Sequence, residues 1–405
     1  MNDLLGALGG VLVEGARGCG KTTTALQHVR SHVRMDSGSQ VLELASLDPQ
    51  SLLAGATPRL VDEWQLAPTL WNVVRHEIDT RQARGQFVLS GSATPPEDAL
   101  RHSGAGRIGR LRMRPMTLAE AGRSSNQVSL VDLESGEAVS GRSEMTYRDL
   151  SEAAIVGGWP ALLDAGHRQA IVFNRSYLND LCFSAIPLAT GVRHDPVRVR
   201  RLLESAARNI AGEVTLERLA ADVAADGAGF DPKTARTYLD ALATVFALDE
   251  LSAWSVALRS KSRLRTSAKI HFADPALACA ALGVNTDRLA QDPQFFGQVF
   301  ESMVTRDVRS MVESRFGAVY HYRDNTGLEV DLILEYRDTK WAAIEVKLGT
   351  RRIPEAEKSL LMLRDARVDL DRVGPPAFLA IVTGGEYAYT LPSGVHVVPL
   401  AALAA

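Results

Sequence analysis

The residues from Gly15 to Thr22 have the types and spacing of a loop that binds phosphate groups. They read Gly-Ala-Arg-Gly-Cys-Gly-Lys-Thr and fit the pattern GxxxxGK(S/T) at every defined position. Glycines let backbone N–H groups turn towards phosphate oxygens, and the helix that follows adds its dipole. Lys21 is predicted to reach the β- and γ-phosphates of ATP, and the Thr22 hydroxyl to bind Mg²⁺. The alternative is a glycine-rich turn that fits by chance, which the apolar strand before it and the helix after it disfavour.

Two adjacent acids, Asp62 and Glu63, stand at the end of the apolar segment that contains Leu60 and Val61. Asp62 is predicted to hold Mg²⁺ beside Thr22, and Glu63 to polarise the attacking water. Ser90 ends another apolar run, where it could sense the γ-phosphate or belong to a turn with its neighbours. The residues predicted to bind nucleotide are Gly15, Ala16, Arg17, Gly18, Cys19, Gly20, Lys21, Thr22, Thr23 and Ser90.

An arginine-rich stretch, residues 101–123, holds six arginines and a single acid, Glu120. Arg107 or Arg110 is predicted to act as an arginine finger offered to a neighbouring subunit, which implies a homo-oligomer. The alternative is a solvated or DNA-facing surface. The six arginines are Arg101, Arg107, Arg110, Arg112, Arg114 and Arg123.

Two carboxylates and a lysine near the C-terminus have the D…ExK form of metal-dependent nucleases. Asp331 lies in one apolar strand pattern, and Glu345 and Lys347 lie two residues apart in the next, on one strand face. The carboxylates are predicted to bind Mg²⁺, with Lys347 positioning or deprotonating a water. Glu301, in a helical pattern, is a possible further ligand. The alternative is a buried salt bridge in a domain that serves packing or dimerisation.

A helix-turn-helix pattern precedes this region. A short amphipathic helix starts at Thr215, and a second one starts after Asp231, with Lys233, Arg236 and Thr237 on its polar side. A polar, donor-rich side of this kind fits the major groove of DNA. Residues 254–271 hold five basic residues and no acid, which predicts a basic hairpin gripping phosphates; they are Arg259, Lys261, Arg263, Arg265 and Lys269. A protein-interaction module is the alternative.

The elements that must position these residues follow from the apolar spacing. Short strands alternate with helical segments over residues 10–120, which predicts a parallel α/β sheet. The predicted strands are Gly10–Glu14, Val41–Leu44, Arg59–Asp62 and Gln86–Ser90, and the predicted helix is Thr22–Val33. Residues 124–147 are predicted as a loop or insertion and 150–245 as helical. A final α/β segment is predicted to begin near Pro293.

The composition sets outer limits. The 405 residues are 46% hydrophobic and 23% charged with a net charge of −3, which is ordinary for two or three globular domains and excludes a wholly basic coat protein. Three separate cysteines give no disulfide framework or metal knuckle. No apolar run reaches the ~18–20 residues that span a bilayer, and the N-terminus lacks a basic start. These features predict a cytoplasmic protein without membrane contact.

Together these residues resemble a prokaryotic family of AAA-type P-loop ATPases with a winged helix and a PD-(D/E)xK nuclease-like C-terminal domain of unknown function. The matching stretches are Gly15–Thr22, Val61–Gln65, Leu89–Ser92, Lys269–Pro275, Phe300–Ser302, Glu329–Asp331 and Ile344–Lys347. The resemblance implies an α/β fold with a parallel-sheet ATPase domain, a helical and winged-helix middle domain and a restriction-endonuclease-like end. The expected boundaries are 1–123, 124–149 for a polar linker or insertion, 150–290 and 291–405.

The favoured function is hydrolysis of ATP with Mg²⁺ coupled to work on DNA, with nuclease activity at the C-terminal end. A second hypothesis is a nucleotide-controlled switch whose C-terminal domain binds a protein partner and cleaves nothing. A third is a nucleotide-binding scaffold without turnover. Lys347 beside two acids favours the first hypothesis over the second.

Overall fold

The computed structural model describes residues 1–93, 104–192, 194–224, 229–254, 267–337 and 340–404. The chain divides into two compact units. Unit 1 comprises Met1–Pro115, Asp180–Asp195 and Leu239–Ala247, and unit 2 comprises Met116–Asn179, Pro196–Tyr238 and Leu248–Ala405.

Unit 1 is built on a five-stranded sheet. Its main elements are α1 (Asn2–Ala7), β1 (Gly10–Gly15), α2 (Lys21–Leu26), β2 (Ser31–Arg34), α3 (Ser39–Leu47), α4 (Pro49–Leu53), β3 (Arg59–Asp62), α5 (Leu70–Arg81), β4 (Phe87–Gly91) and β5 (Ile108–Met113). The strands run in the order β2-β3-β4-β1-β5, and every pair is parallel. Both faces of a parallel sheet are covered, so its central strands are apolar throughout. Accordingly Val11 and Val13 pack into one core and Leu12 into the other.

Two predicted elements of unit 1 are wrong. The segment Val41–Leu44 lies in helix α3, not in a strand. In this helix Ala45 is buried and Leu44 is exposed. A segment of four residues cannot by itself distinguish a helix from a strand. The predicted helix Thr22–Val33 ends at Leu26, and strand β2 follows it.

Unit 2 begins with short strands and helices. In chain order the elements from residue 116 are β6 (Val128–Ser129), α6 (Leu130–Glu134), β7 (Gly141–Arg142), α7 (Tyr147–Val156), α8 (His167–Asp180), α9 (Ile186–Thr190), α10 (Pro196–Arg208), β8 (Gly212–Glu213), α11 (Leu216–Val223), α12 (Pro232–Thr244), β9 (Leu248–Leu251) and β10 (Lys269–Phe272). Helix α9 and the end of α12 belong to unit 1. Strands β8, β10 and β9 form an antiparallel sheet in that order.

A mixed sheet of seven strands occupies the rest of unit 2. The elements are α13 (Pro275–Ala281), α14 (Thr286–Gln291), α15 (Pro293–Ser314), β11 (Ala318–Arg323), β12 (Glu329–Glu335), β13 (Trp341–Lys347), α16 (Ile353–Ala366), α17 (Leu370–Val373), β14 (Leu379–Thr383), β15 (Tyr387–Thr390), β16 (His396–Pro399) and β17 (Leu403–Ala404). The strand order is β11-β12-β13-β14-β16-β15-β7. Helix α15 begins at Pro293, near which the final α/β segment is predicted to start, and Asp292 caps it.

The stretch predicted as a polar linker or insertion contributes to this sheet. Strand β7 pairs with β15 at its edge, and β6 pairs with β17. A strand of two residues is too short to show a periodic pattern in the sequence. The residues that pair with these strands also lie far away along the chain. The loop prediction is therefore incomplete for these residues.

The α/β fold class is confirmed, with the predicted parallel sheet at the N-terminal end and helices followed by a sheet at the C-terminal end. Among the described residues, no helix has the length and apolar character needed to cross a bilayer.

Candidate functional site

The predicted phosphate loop connects strand β1 to helix α2. Gly18 and Gly20 have φ of 78° and 99°, a left-handed conformation that glycine adopts without strain. A Cβ on Gly15 would lie 2.2 Å from the Met113 carbonyl oxygen of strand β5. The loop therefore requires glycine where the pattern has it, because the backbone turns and approaches a neighbouring strand there.

Lys21 is buried and folded back over this loop. Its Nζ donates to the carbonyl oxygens of Gly15 and Ala16, both at 2.9 Å. Within the described part of the chain, Lys21 forms no ion pair with a carboxylate. Its positive charge is thus held by neutral acceptors, and it remains available to an anion.

Asp62 lies at the end of β3 and accepts two hydroxyl donors. Thr22 Oγ1 lies 2.9 Å and 3.1 Å from the two carboxylate oxygens, and Ser90 Oγ donates to Oδ1. Strand β4 lies between β1 and β3, so Ser90 at its end stands beside Asp62. Asp62 is 1% exposed, and the Arg34 guanidinium is 3.7 Å from it. Hydroxyl and carboxylate oxygens are the donors that suit Mg²⁺, so Thr22 and Asp62 fit a magnesium ion.

The Glu63 carboxylate contacts two residues, Gln65 and Ser92, to which the sequence motifs assign no role. The Gln65 side-chain amide donates to Glu63 Oε2, and Ser92 Oγ lies 3.4 Å from the same oxygen. The Glu63 backbone is left-handed at φ 54°, which is uncommon for a residue with a side chain. Gln65 ends the Asp-Glu-x-Gln segment, one of the stretches on which the family resemblance rests, so the sequence did contain a signal for this residue.

The two candidate finger arginines form ion pairs inside their own unit. Arg107 Nε lies 2.5 Å from Asp79 Oδ1, and Arg110 Nη1 lies 3.0 Å from Glu14 Oε2. A finger role would require one of these pairs to open, and it stays a prediction. Arg101 lies outside the described residues.

Three other loop residues differ in their surroundings. Arg17 is exposed and pairs with Asp180 at 3.2 Å, while Thr23 is exposed on α2. Burial raises the pKa of the Cys19 thiol, opposed by the Lys21 charge. A thiol that resists ionisation fits a small residue that fills space in the loop and does not act as a nucleophile.

The D…ExK side chains come together in unit 2. Antiparallel pairing sets Leu332 opposite Ile344, so Asp331 and Glu345 follow at the same end of β12 and β13. Lys347 Nζ lies 2.5 Å from Glu345 Oε2 and 3.5 Å from Asp331 Oδ2, and the Val346 N–H donates to Asp331 at 2.8 Å. Asp331 and Glu345 are both buried.

A second lysine, Lys269, enters the same group of acids. Its Nζ lies 2.8 Å from Glu301 Oε1, 2.8 Å from Glu329 Oε1 and 3.5 Å from Asp331 Oδ1. Lys269 is 2% exposed. Its prediction as a phosphate-gripping residue of a basic hairpin is therefore wrong: its side chain points into the protein, where three carboxylates neutralise it. The other four basic residues of that stretch, Arg259, Lys261, Arg263 and Arg265, lie outside the described residues.

The pKa shifts of this group follow from burial and charge. Burial alone would lower the pKa of Lys269, but Glu301, Asp331 and Glu329 outweigh it and keep the pKa above its ordinary value. Burial and the neighbouring Asp331 charge raise the pKa of Glu345. Burial would also raise the pKa of Asp331, but the two lysines hold it below the usual range.

The predicted C-terminal metal ligands are in contact with two lysines. Asp331 and Glu345 form a side-chain hydrogen bond with each other, and Lys269 contacts both Glu301 and Asp331. Within the described ranges, no three His, Cys, Asp or Glu side chains are arranged as a group that could hold a metal ion. An ammonium group contacts each of the three acids, so a metal ion would have to compete with it. The role of these residues as metal ligands stays a prediction.

The described residues of the predicted helix-turn-helix lie in helices α11 and α12. Asp231 caps α12 through the Thr234 N–H at 2.7 Å, and Ala235, Tyr238, Leu239 and Leu242 are buried. Lys233, Arg236 and Thr237 are exposed. Arg236 also pairs with Glu250 of strand β9 at 3.0 Å. Gly227, in the predicted turn, lies outside the described residues.

Known proteins match the chain in three separate segments. Residues 9–122, which contain the loop, Asp62 and Ser90, match the family model described as "AAA domain". This part of the chain is similar to AAA-type P-loop domains. Residues 147–288 match "Domain of unknown function (DUF8612)", and residues 296–403 match "Domain of unknown function (DUF4143)".

Two mycobacterial proteins match nearly the whole chain. The chain is 28% identical to the uncharacterized protein Rv2008c of Mycobacterium tuberculosis over 404 residues, which cover 96% of this chain and 79% of the relative. The uncharacterized protein Mb2031c of Mycobacterium bovis matches to the same extent. Among solved structures, the Walker-type ATPase PABY2304 of Pyrococcus abyssi covers 69% of this chain and 93% of its own, at 13% identity and a TM-score of 0.44. No conclusion follows from a structural likeness at this level.

Proposed function

We propose that the AAA-type domain binds ATP with Mg²⁺ and hydrolyses it. The observation that carries the proposal is the buried Asp62 carboxylate at the end of β3, which accepts hydrogen bonds from Thr22 at the start of α2 and from Ser90 at the end of the neighbouring strand β4. In this proposal Lys21 binds the β- and γ-phosphates, while Thr22 and Asp62 hold the magnesium ion. That ion would neutralise phosphate charge as the γ-phosphoryl group is transferred.

Glu63 is the proposed group that orients and deprotonates the attacking water. It follows Asp62 directly and is bound by the Gln65 amide, which leaves its other oxygen to a further donor. We propose that Ser90 contacts the γ-phosphate, because its hydroxyl stands at the same end of the sheet as Thr22 and Asp62.

The test is ATP binding and turnover by the wild type and by Lys21→Ala. We expect the variant to lose at least about a hundredfold in ATP affinity, because the phosphates lose their nearest cation. Arg30→Ala, which removes an exposed positive charge on unit 1, is the control. Unchanged ATP affinity in Lys21→Ala would reject the loop as the nucleotide site.

The finer part of the proposal is that ATP hydrolysis is coupled to DNA binding. The order of the elements along the chain supports this part of the proposal. Helix α10 is followed by strand β8, helices α11 and α12, and strands β9 and β10, and the three strands form one antiparallel sheet. This order is that of a winged helix, and the exposed Lys233 and Thr237 of α12 would meet the groove. The basic residues between β9 and β10 would contact phosphates without reading sequence.

Salt dependence distinguishes these two kinds of contact. Neutralising Arg263 and Arg265 is expected to weaken binding to every duplex alike and to lower the salt slope by about one to two units. Lys233→Ala is expected to change sequence preference instead. Lys358→Ala, an exposed charge on α16, is the control. If no duplex binds at low salt and none stimulates ATP turnover, the protein-interaction hypothesis replaces this part.

DNA cleavage by the C-terminal domain is a separate hypothesis. In its favour, Asp331, Glu345 and Lys347 meet at one end of two strands, as the D…ExK spacing requires. Against it, Lys269 lies among the carboxylates that would have to accept a metal ion. A nicking assay on supercoiled DNA with Mg²⁺, comparing the wild type with Asp331→Asn, decides the matter: cleavage that the variant loses would establish it.

A further inference from the structure

Four carboxylates and two lysines form one charged centre in unit 2. Strand β12 supplies Glu329 and Asp331, β13 supplies Glu345 and Lys347, α15 supplies Glu301, and β10 supplies Lys269. Each lysine forms ion pairs with different acids. Lys347 Nζ lies 2.5 Å from Glu345, and Lys269 Nζ lies 2.8 Å from Glu301 and 2.8 Å from Glu329. Asp331 lies 3.5 Å from both lysines.

The surroundings of Lys269 match an ammonium group in number and spacing. An ammonium has three N–H donors and no acceptor, and three carboxylates converge on it. The two shorter distances are those of charge-assisted hydrogen bonds. A magnesium ion requires oxygens at about 2.0–2.1 Å, so a metal at this point would need the carboxylates to close in.

We propose that Lys269 is the resident cation of the centre formed by Glu301, Glu329 and Asp331 and excludes Mg²⁺ and Mn²⁺ from it. Burial keeps Lys269 paired with these carboxylates, because a residue that is 2% exposed cannot reach water unless the surrounding fold opens. Lys269 also ties β10 to β12 and α15. The centre is thus a charged clamp between three elements.

The proposal predicts that deleting the ammonium creates a metal site. Lys269→Met keeps most of the side-chain volume and leaves three carboxylates facing an uncharged neighbour. We expect this variant to bind Mn²⁺ at least about tenfold more tightly than the wild type, because one positive charge at contact distance has gone. Both proteins carry Asp62→Asn in addition, so that the nucleotide site does not contribute. Mn²⁺ binding is measured by electron paramagnetic resonance, and the thermal midpoint is measured with and without Mn²⁺.

Three further variants make the result specific. Lys269→Arg keeps the charge and is expected to gain nothing, and so is Lys358→Met, which removes an exposed positive charge on α16. Adding Glu329→Gln to Lys269→Met is expected to abolish the gain. If Lys269→Met yields no folded protein, Lys269→Met with Glu301→Gln replaces it, because that pair removes both charges of a 2.8 Å contact.

Two outcomes would overturn the proposal. One is a folded Lys269→Met protein whose Mn²⁺ binding and thermal midpoint match those of the wild type. The other needs no lysine variant: Mn²⁺ binding by the Asp62→Asn protein that disappears on adding Glu329→Gln would mean that the metal enters with Lys269 in place. Glu329 suits this test because its side chain is 41% exposed, so we expect its replacement to leave the fold intact.

Discussion

The nucleotide site and the C-terminal centre use the same residue types in opposite ways. In unit 1, Lys21 donates to backbone carbonyls and Asp62 accepts hydroxyls from Thr22 and Ser90. In unit 2, Lys269 and Lys347 are paired directly with carboxylates. The first arrangement leaves the Lys21 charge to neutral acceptors, whereas in the second each lysine charge is met by carboxylates.

This difference teaches how to interpret a motif of acids and lysines. Spacing along strands brings such residues to one place, but the pairing among them decides whether the place can accept a charged ligand. A buried carboxylate that lacks a counter-ion is costly, so it recruits the nearest cation that the chain offers. In unit 2 the cations are Lys269 of β10 and Lys347 of β13, whereas in unit 1 the Arg34 guanidinium lies 3.7 Å from Asp62, beyond hydrogen-bonding distance.

The largest expected effect is on ATP turnover. If the nucleotide site holds its charges ready for ligand, Glu63→Gln should retain ATP binding and slow hydrolysis by about 10²–10⁴-fold, because an amide cannot take the proton from water. Single-turnover hydrolysis and ATP binding are measured on the same protein. Glu43→Gln, an exposed acid on α3, is the control. Turnover like that of the wild type would remove Glu63 from the catalytic role.

The next effect is on stability, and it contrasts the two lysines directly. Lys269→Met leaves buried carboxylates without their counter-ion and is expected to lower the free energy of unfolding by about 3–5 kcal/mol. Lys21→Met removes a donor from two neutral carbonyls and is expected to cost about 1–2 kcal/mol. Urea unfolding of both variants measures the difference. Equal losses would mean that the two centres are not opposite in their pairing.

The sequence predicted the nucleotide site better than the C-terminal centre because the loop is local. Five glycine, lysine and threonine positions within eight residues carry their geometry with them, and β1, β3 and β4 were predicted from apolar runs. The pairing of Lys269 depends on contacts with Glu301 and Glu329, which are 32 and 60 positions away in the chain. A count of basic residues assigned that lysine to the hairpin surface, because charge counts do not show which way a side chain points.

The third effect is a pH dependence confined to the C-terminal centre. His271, on the same strand as Lys269, is buried, and burial together with the Lys269 charge lowers its pKa to about 3. An unfolded histidine has a pKa near 6.5, so the unfolded chain binds more protons between these values and stability falls as pH falls through the window. We expect the wild type to lose about 1.5–2 kcal/mol more than His271→Gln between pH 6.5 and 5.

Urea unfolding at several pH values checks this difference, since the carboxylates titrate in both proteins and cancel. His76→Gln, an exposed histidine of α5, serves as control and should keep the slope of the wild type. A His271→Gln protein with the same slope as the wild type would show that the imidazole is already charged in the fold, and that the lysine does not control its neighbour.

The smallest effect tests whether hydroxyl donors alone keep Asp62 ready for a magnesium ion. Ser90→Ala removes one of its two hydroxyl partners, and we expect kcat to fall about tenfold, equivalent to about 1.4 kcal/mol, with ATP affinity changed less than about threefold. Ser90→Thr keeps the hydroxyl and should restore kcat, which a purely structural role would not require. Ser46→Ala, an exposed serine of α3, is the matched control. If Ser90→Ala keeps both its kcat and its Mg²⁺ dependence, Ser90 is a strand-end turn residue, and Thr22 alone orients the carboxylate.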